Sequence, residues 1–385
     1  MCVPVRSSGF RRGLDKSGPL WQNAVNFLEK TSPTIHKVVH IFPAGMSYPQ
    51  WRAKIASSDH NPRFGWRNHG LPFYRRRMNE QNNYKPIAAQ YLSEGQRQVW
   101  SACRMLKDGG RLYGVVSHES AIAFLGVEIP ESCLLLNRHS GREPVVHVTV
   151  LDKSHRRRSF RAIQSHVWGG LLPRHVRYTK DDIAILSPEP LWALMAGSLR
   201  VDALVELGES MIRHGRTTTE RLRDFLGGTA IRHRGKCEDA LCLMESGSDS
   251  PKETQLRLCL YSYGLGRFSI NYVVPNAAFD NGSPMTLDLA DPELLIGIEY
   301  DGDHHRTDRN QWRRDAWKRR QLESMGWTIV SVTQLDLSDD AHRGALAMSI
   351  AMIRARKSER PIALTTPLSW HALADRRRRL WRTVR

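Results

Sequence analysis

The sequence has no CxxC pair, no long apolar run and too few acids to balance its bases. Its six cysteines stand at positions 2, 103, 133, 237, 242 and 259, scattered over 385 residues. So sparse a set makes no disulfide framework, and the expected setting is a reducing cytoplasm. No stretch is apolar for the ~20 residues a membrane helix needs, so no membrane partner is expected. Met1 to Arg12 is basic but no apolar segment follows, which argues against a secretory signal. A glycine-rich phosphate loop and a GxSxG turn are both missing, so nucleotide binding and serine hydrolysis have no support. His233, Cys237 and Cys242 lack the spacing of a zinc site. There is no internal repeat.

What the chain does have is positive charge. Lys and Arg total 57 against 39 Asp and Glu, a formal +18. That balance points to a polyanionic partner, DNA first of all. The surplus sits at the ends. Residues 1–84 carry 13 Lys/Arg and 4 Asp/Glu, and residues 360–385 carry 7 Arg and one acid, Asp375. The 275 residues between are nearly balanced, at +3. Residues 1–84 show little hydrophobic period and read as a basic, poorly ordered extension. The run Arg376-Arg377-Arg378-Arg379-Leu380-Trp381-Arg382 reads either as a solvated tail or as a stripe along a nucleic-acid backbone.

Two ordered regions are expected between these ends. The first, 85–246, reads as a mixed, mostly helical α/β domain. Helices are expected over 87–107, from Ser117 to Leu125, and over 189–199, 201–214, 218–227 and 229–246. Thr217 with Glu220 has capping-box spacing. Val145 to Leu151 alternates as a strand, with 158–164 as its partner across the basic turn His155-Arg156-Arg157 and a third strand near 182–186. The second region, 248–356, changes character after Ser246-Gly247-Ser248. A helix opens at Ser250-Pro251-Lys252-Glu253, three strands follow (269–274, 285–290, 294–301), then a helix over 308–325, a strand over 327–333 and a last helix over 339–356. That order describes an α/β sandwich on one mixed sheet. A basic tail, 357–385, closes the chain.

Three acids fall together on this second sheet. Asp288 lies inside the apolar strand Leu287–Ala290, and Glu299 and Asp301 are two apart at the end of the next. Residues two apart on a strand share a face. If the strands are neighbours, Asp288 and Glu299 converge, and carboxylate oxygens suit a hard cation such as Mg²⁺. An acid at the end of a buried strand is costly without a positive partner, which an ordinary salt bridge also supplies. His304 and His305 follow at once, and His305 is the preferred proton acceptor of the two. Glu253 has two readings: the N3 member of a capping box with Ser250, or a further acid near the metal. Asp315 is either an intrahelical partner of Arg319 or part of a basic phosphate-facing surface.

Leu287-Asp288-Leu289, Ile298-Glu299-Tyr300-Asp301-Gly302-Asp303-His304-His305, Arg314-Asp315 and Gly326-Trp327-Thr328-Ile329-Val330 together resemble the very-short-patch-repair-like endonuclease domain (domain of unknown function 559) of the PD-(D/E)XK nuclease superfamily. The likeness covers roughly residues 248–335. It implies a restriction-endonuclease-like α-β-β-β-α-β core and hydrolysis of DNA phosphodiesters. Asp288, Glu299 and Asp301 are then the ligands of Mg²⁺ or Mn²⁺, with His305 as general base. The sequence departs from the superfamily where a Lys is expected two residues after the Glu, because Asp301 stands there. Lys318, on the following helix, is the candidate for the missing positive charge. Residues 115–245, through Ser117-His118-Glu119-Ser120-Ala121 and Leu186-Ser187-Pro188, are similar more faintly to AbiE-type antitoxin proteins. That likeness implies DNA binding and leaves a toxin or repair partner open.

The expected function is therefore a Mg²⁺-dependent DNA endonuclease or nickase. The competing expectation is an antitoxin-like or regulatory DNA-binding protein whose nuclease-type domain is inactive. A weaker third is a nuclease directed at RNA.

Overall fold

The structure, a computed structural model, describes residues 87–131, 145–156, 162–266, 268–302 and 309–383. The expected extension over 1–84 and the candidates His304 and His305 lie outside the described residues. Those residues form a mixed α/β structure with two mixed sheets.

The first region opens with helix α1 (Ile87–Asp108), one continuous helix that ends at Gly109-Gly110, where Gly110 has φ +62. Strand β1 (Val115–Val116) and helix α2 (His118–Leu125) follow, with Ser117 and Gly126 as the flanking caps. Strands β2 (Val146–Val150), β3 (Ile163–Val167), β4 (Val176–Tyr178) and β5 (Ala184–Leu186) complete a sheet in the order β3-β2-β1-β5-β4. One expectation fails here. The partner of β2 begins at Ile163 and runs parallel to it, Val146 opposite Ile163. A tight basic turn would have made the pair antiparallel. The parallel register needs a longer connection than a hairpin turn, and a 3₁₀ turn over Lys153–His155 follows β2.

Four helices come next: α3 (Pro188–Met195), α4 (Val201–Arg213), α5 (Thr219–Gly228) and α6 (Arg234–Leu243). The cap of α5 is Thr218, whose Oγ1 accepts from the Arg221 amide at 3.3 Å. Thr217, the residue with capping-box spacing, is buried and donates to Glu189 Oε1 at 2.8 Å. Helix α4 buries Leu204, Leu207 and Met211 but also Glu206 and Glu209. Burying acids is expensive unless they find partners, and this face decides how the two regions join.

The second region follows the expected order: α7 (Pro251–Ser262), β6 (Ser269–Ala278), β7 (Pro284–Asp291), β8 (Ile296–Tyr300), α8 (Arg309–Ser324), β9 (Thr328–Val332) and α9 (Asp340–Ser358). The sheet order is β6-β7-β8-β9, antiparallel except that β8 runs parallel to β9. Helix α8 is the crossover that a parallel pair requires.

The two regions share one apolar cluster, which includes Leu204 and Leu207 from α4, Leu256 and Leu260 from α7, and Ile298 from β8. Arg257 of α7 is fully buried beside them and pairs with Glu209 of α4 and, at 3.5 Å, with Glu245. Thr254 donates to Glu209 at 2.6 Å. The arginine-rich segment is also helical. Helix α10 (Trp370–Thr383) packs on α6, with Leu373 and Ala374 buried. Arg378 pairs with Asp239, and Arg377 with Glu245. Two of the four consecutive arginines thus serve the fold.

Candidate active site

Strand β7 is irregular where it matters. Leu289 packs in the main apolar cluster, while Leu287, two residues earlier, packs with Met285, Leu322 and Trp327 in a second one. On a regular strand the two would share a face. Between them stands Asp288. Across from it on β6, Asn271 interrupts the ladder between the pairs Ile270–Leu289 and Tyr272–Leu287, with φ +45. The β7–β8 ladder ends at Leu289 opposite Ile298. One step further, the Asp288 carboxylate takes over as acceptor. The Tyr300 backbone N–H donates to its Oδ2 at 2.7 Å.

Asp288 is half-buried, and burial pushes its carboxyl up to about 6, with the Tyr300 N–H opposing and the Glu299 charge adding to the rise. Glu299, the next residue on β8, pairs with the ammonium of Lys318 from α8. Both side chains are largely buried, at 21% and 15% exposure. Lys318 also lowers the cost of charge on Asp288. Beside Glu299 in the register lies Ser331 of β9, whose hydroxyl accepts from Arg319. One helix therefore brings two cations to the sheet face that carries the acids.

The N-terminus of α7 closes the other side. Ser250 caps it, accepting from the Glu253 amide at 3.2 Å. The Glu253 carboxylate turns back to the Asp249 N–H at 2.7 Å, one residue before the cap. Half of the expected capping box is therefore present: Ser250 accepts the Glu253 amide, but the Glu253 carboxylate takes the Asp249 N–H instead of that of Ser250. Its carboxyl is nonetheless raised to about 7 by burial first and by Asp288 second. Asp249 adds to the strain on both acids. Asp249 was not among the sequence candidates. Its place directly before a Ser-Pro helix start was the available signal.

Of the residues singled out from sequence, the structure gathers Asp288, Glu299 and Lys318, with Glu253 alongside. Asp301 lies one residue past β8 and is exposed, its N–H on Val332 O at 2.7 Å. It stands outside the Glu299–Lys318 pair. Among the described residues, no three His, Cys, Asp or Glu side chains are arranged to hold one ion. Cys237 and Cys242 are buried, and their thiols donate to the carbonyls of Ala193 and Ala374.

The chain matches no protein-family model, no curated protein and no solved structure.

A second group of titratable side chains sits in the first region and was missed in the sequence. His118 of α2, at φ +50, stacks on His166 of β3 with ring centroids 3.5 Å apart. His147 of β2 places Nδ1 3.1 Å from His166 Nε2 and 3.1 Å from Glu119 Oε2. Burial holds all three imidazoles below their ordinary range, His166 at about 4. Nothing in the spacing of residues 118, 147 and 166 joins them; the β2–β3 pairing brings His147 and His166 together, and the first residue of α2 stacks on His166.

Proposed function

We propose that the chain is a Mg²⁺- or Mn²⁺-dependent DNA endonuclease or nickase, with its active centre on a restriction-endonuclease-like core over residues 248–356. The observation that carries this reading is the junction of Asp288, Glu299 and Lys318, drawn from two adjoining strands and the crossover helix. Two carboxylates are the number Mg²⁺ commonly takes from a protein, leaving positions for water and a phosphate oxygen. The donor set fits such an ion: Asp288 holds a half-buried carboxyl whose ionised form is poorly compensated, and Glu299 lies next to it. A cation held there would supply Lewis-acid chemistry, polarising a phosphodiester and acidifying water. Asp288 and Glu299 would be its ligands, with Asp301 contributing at most from the exposed rim.

Lys318 answers the departure at Asp301. The positive charge that the superfamily carries two residues after the Glu here arrives from α8, beside the same carboxylate. Its role is to neutralise charge on the bound phosphate. The exposed Arg313, Arg314, Arg319 and Arg320 continue that helix's basic surface, and Arg314 lies 4.8 Å over the Phe279 ring. Such a surface positions a nucleic-acid backbone without reading its sequence. His305 remains the proposed general base.

The test is direct. Purified full-length protein is incubated with supercoiled plasmid and Mg²⁺ or Mn²⁺, with a chelator control. Metal-dependent nicking or linearisation is expected, and its loss in Asp288→Asn assigns the site. A second reading, an inactive DNA-binding protein, draws on the same ion pair, because Lys318 satisfies Glu299 without any metal. Salt-sensitive, metal-independent DNA binding with no cleavage under any divalent ion would favour it.

A further inference from the structure

Between α4, α7, the start of α9 and the segment entering α10 lies a cavity of about 550 Å³. It is remote in role from the acids of the second sheet, and the nuclease reading does not use it. The apolar part of its lining is formed by Ala203, Leu258, Leu337 and Leu368 with Trp370. The volume suits a small organic molecule.

The polar groups of the cavity are unevenly matched. At the mouth, Glu131 faces Lys252 at 2.8 Å, Asp202 faces Arg200 at 3.4 Å, and Asp340 faces Arg343 at 2.9 Å. Each of these carboxylates has its own cation. Glu206 has none among the described residues. It is only 7% exposed, and its Oε2 accepts the Gln255 amide at 2.8 Å. Lys252 is near enough to favour its charge, but that ammonium is already bonded to Glu131 and Gln255. Burial raises the Glu206 carboxyl to about 7, and Glu131 and Asp202 add like charge. A buried carboxylate left without a counter-ion is costly, and a cation placed on it recovers much of that cost.

We propose that this cavity binds a small primary amine in its ammonium form, the charged head on Glu206 and the apolar body against Leu258, Leu337 and Trp370. Three carboxylates of the lining and its rim are ion-paired, while Glu206, at 7% exposure, has a hydrogen bond but no cation among the described residues, so the cavity favours a single added positive charge.

The experiment is calorimetric titration of the full-length protein at pH 7.5 with 2-phenylethylammonium and n-butylammonium, against neutral 2-phenylethanol. Saturable one-to-one binding of an ammonium is expected, at least tenfold tighter than the alcohol. Glu206→Gln should weaken it at least tenfold. Ala203→Leu keeps the carboxylate but fills the cavity, and should weaken it equally; this covers the case in which the first variant folds poorly. Lowering the pH to 5 should cost at least fivefold in affinity, as Glu206 becomes neutral. Absence of saturable ammonium binding, equal binding of the alcohol, or wild-type affinity in both variants would overturn the proposal. Plasmid cleavage is unaffected by any of these outcomes, so the two proposals fail separately.

Discussion

The carboxylate of Asp288 receives the backbone N–H of Tyr300 at 2.7 Å, at the step where the β7–β8 ladder ends. The acid thus serves both the sheet and the proposed chemistry. Asp288→Asn keeps an oxygen for that N–H but loses the charge, so plasmid nicking should fall at least a hundredfold with the fold retained. The sign of the stability change follows from the raised carboxyl. Between the ordinary Asp range and about pH 6 the folded chain binds more protons than the unfolded chain, so wild-type stability declines as pH rises through that window. At pH 8 the Asn variant should melt no lower than wild type. Asp288→Ala strands the Tyr300 amide and should cost about 1–3 kcal/mol. Thermal melts of the three proteins at pH 5 and 8 check this.

Lys318→Met leaves Glu299 half-buried without its cation. We expect a loss of about 1–3 kcal/mol in denaturant titrations. We also expect an upward shift of the pH at which cleavage sets in, since Lys318 favours ionised Asp288. A pH–rate profile identical to wild type would remove Lys318 from the site.

Arg257 is fully buried among Glu209, Glu245 and the Leu243 carbonyl. Arg257→Met should destabilise by roughly 3–5 kcal/mol, because buried Glu209 loses its cation, while Glu245 keeps Arg377. The change should broaden or split the melting transition if α4 and α7 come apart. A shift under 1 kcal/mol would mean that the apolar cluster alone joins the two regions.

The imidazoles of His118, His147 and His166 pack together with Glu119 as the neighbouring acid and Arg156 as a further cation. Their folded pKa values lie below the unfolded value, so protons bind the unfolded chain first. Stability should fall as pH drops from about 6.5 toward 4, His166 contributing on the order of 2 kcal/mol after allowance for its partial exposure. His166→Gln should flatten the acid limb of a plot of melting temperature against pH.

Removal of residues 1–84 deletes 13 basic side chains. Affinity for duplex DNA should fall, and the slope of log K against log salt should become shallower, as fewer phosphates are neutralised. An unchanged slope would place the electrostatic footprint on the remaining chain.

Much of the second region could be read along the chain. Strand runs such as Leu287–Ala290 and Ile296–Ile298, the Ser250-Pro251 helix start and the glycine stop at Gly326 are local signals, and each element forms within a few residues of its expected place. Asp288 and Glu299 stand out because acids rarely interrupt apolar strands. Pairing was another matter. The parallel run of β2 beside β3, the histidine stack it creates, the parity break at Asp288 and the docking of α10 on α6 depend on contacts between distant segments, which hydrophobic period does not encode. The same holds for Glu206 and Arg257. Both are charged residues on helices, ordinary by position, and packing alone left the arginine with two acids and the glutamate with no cation among the described residues.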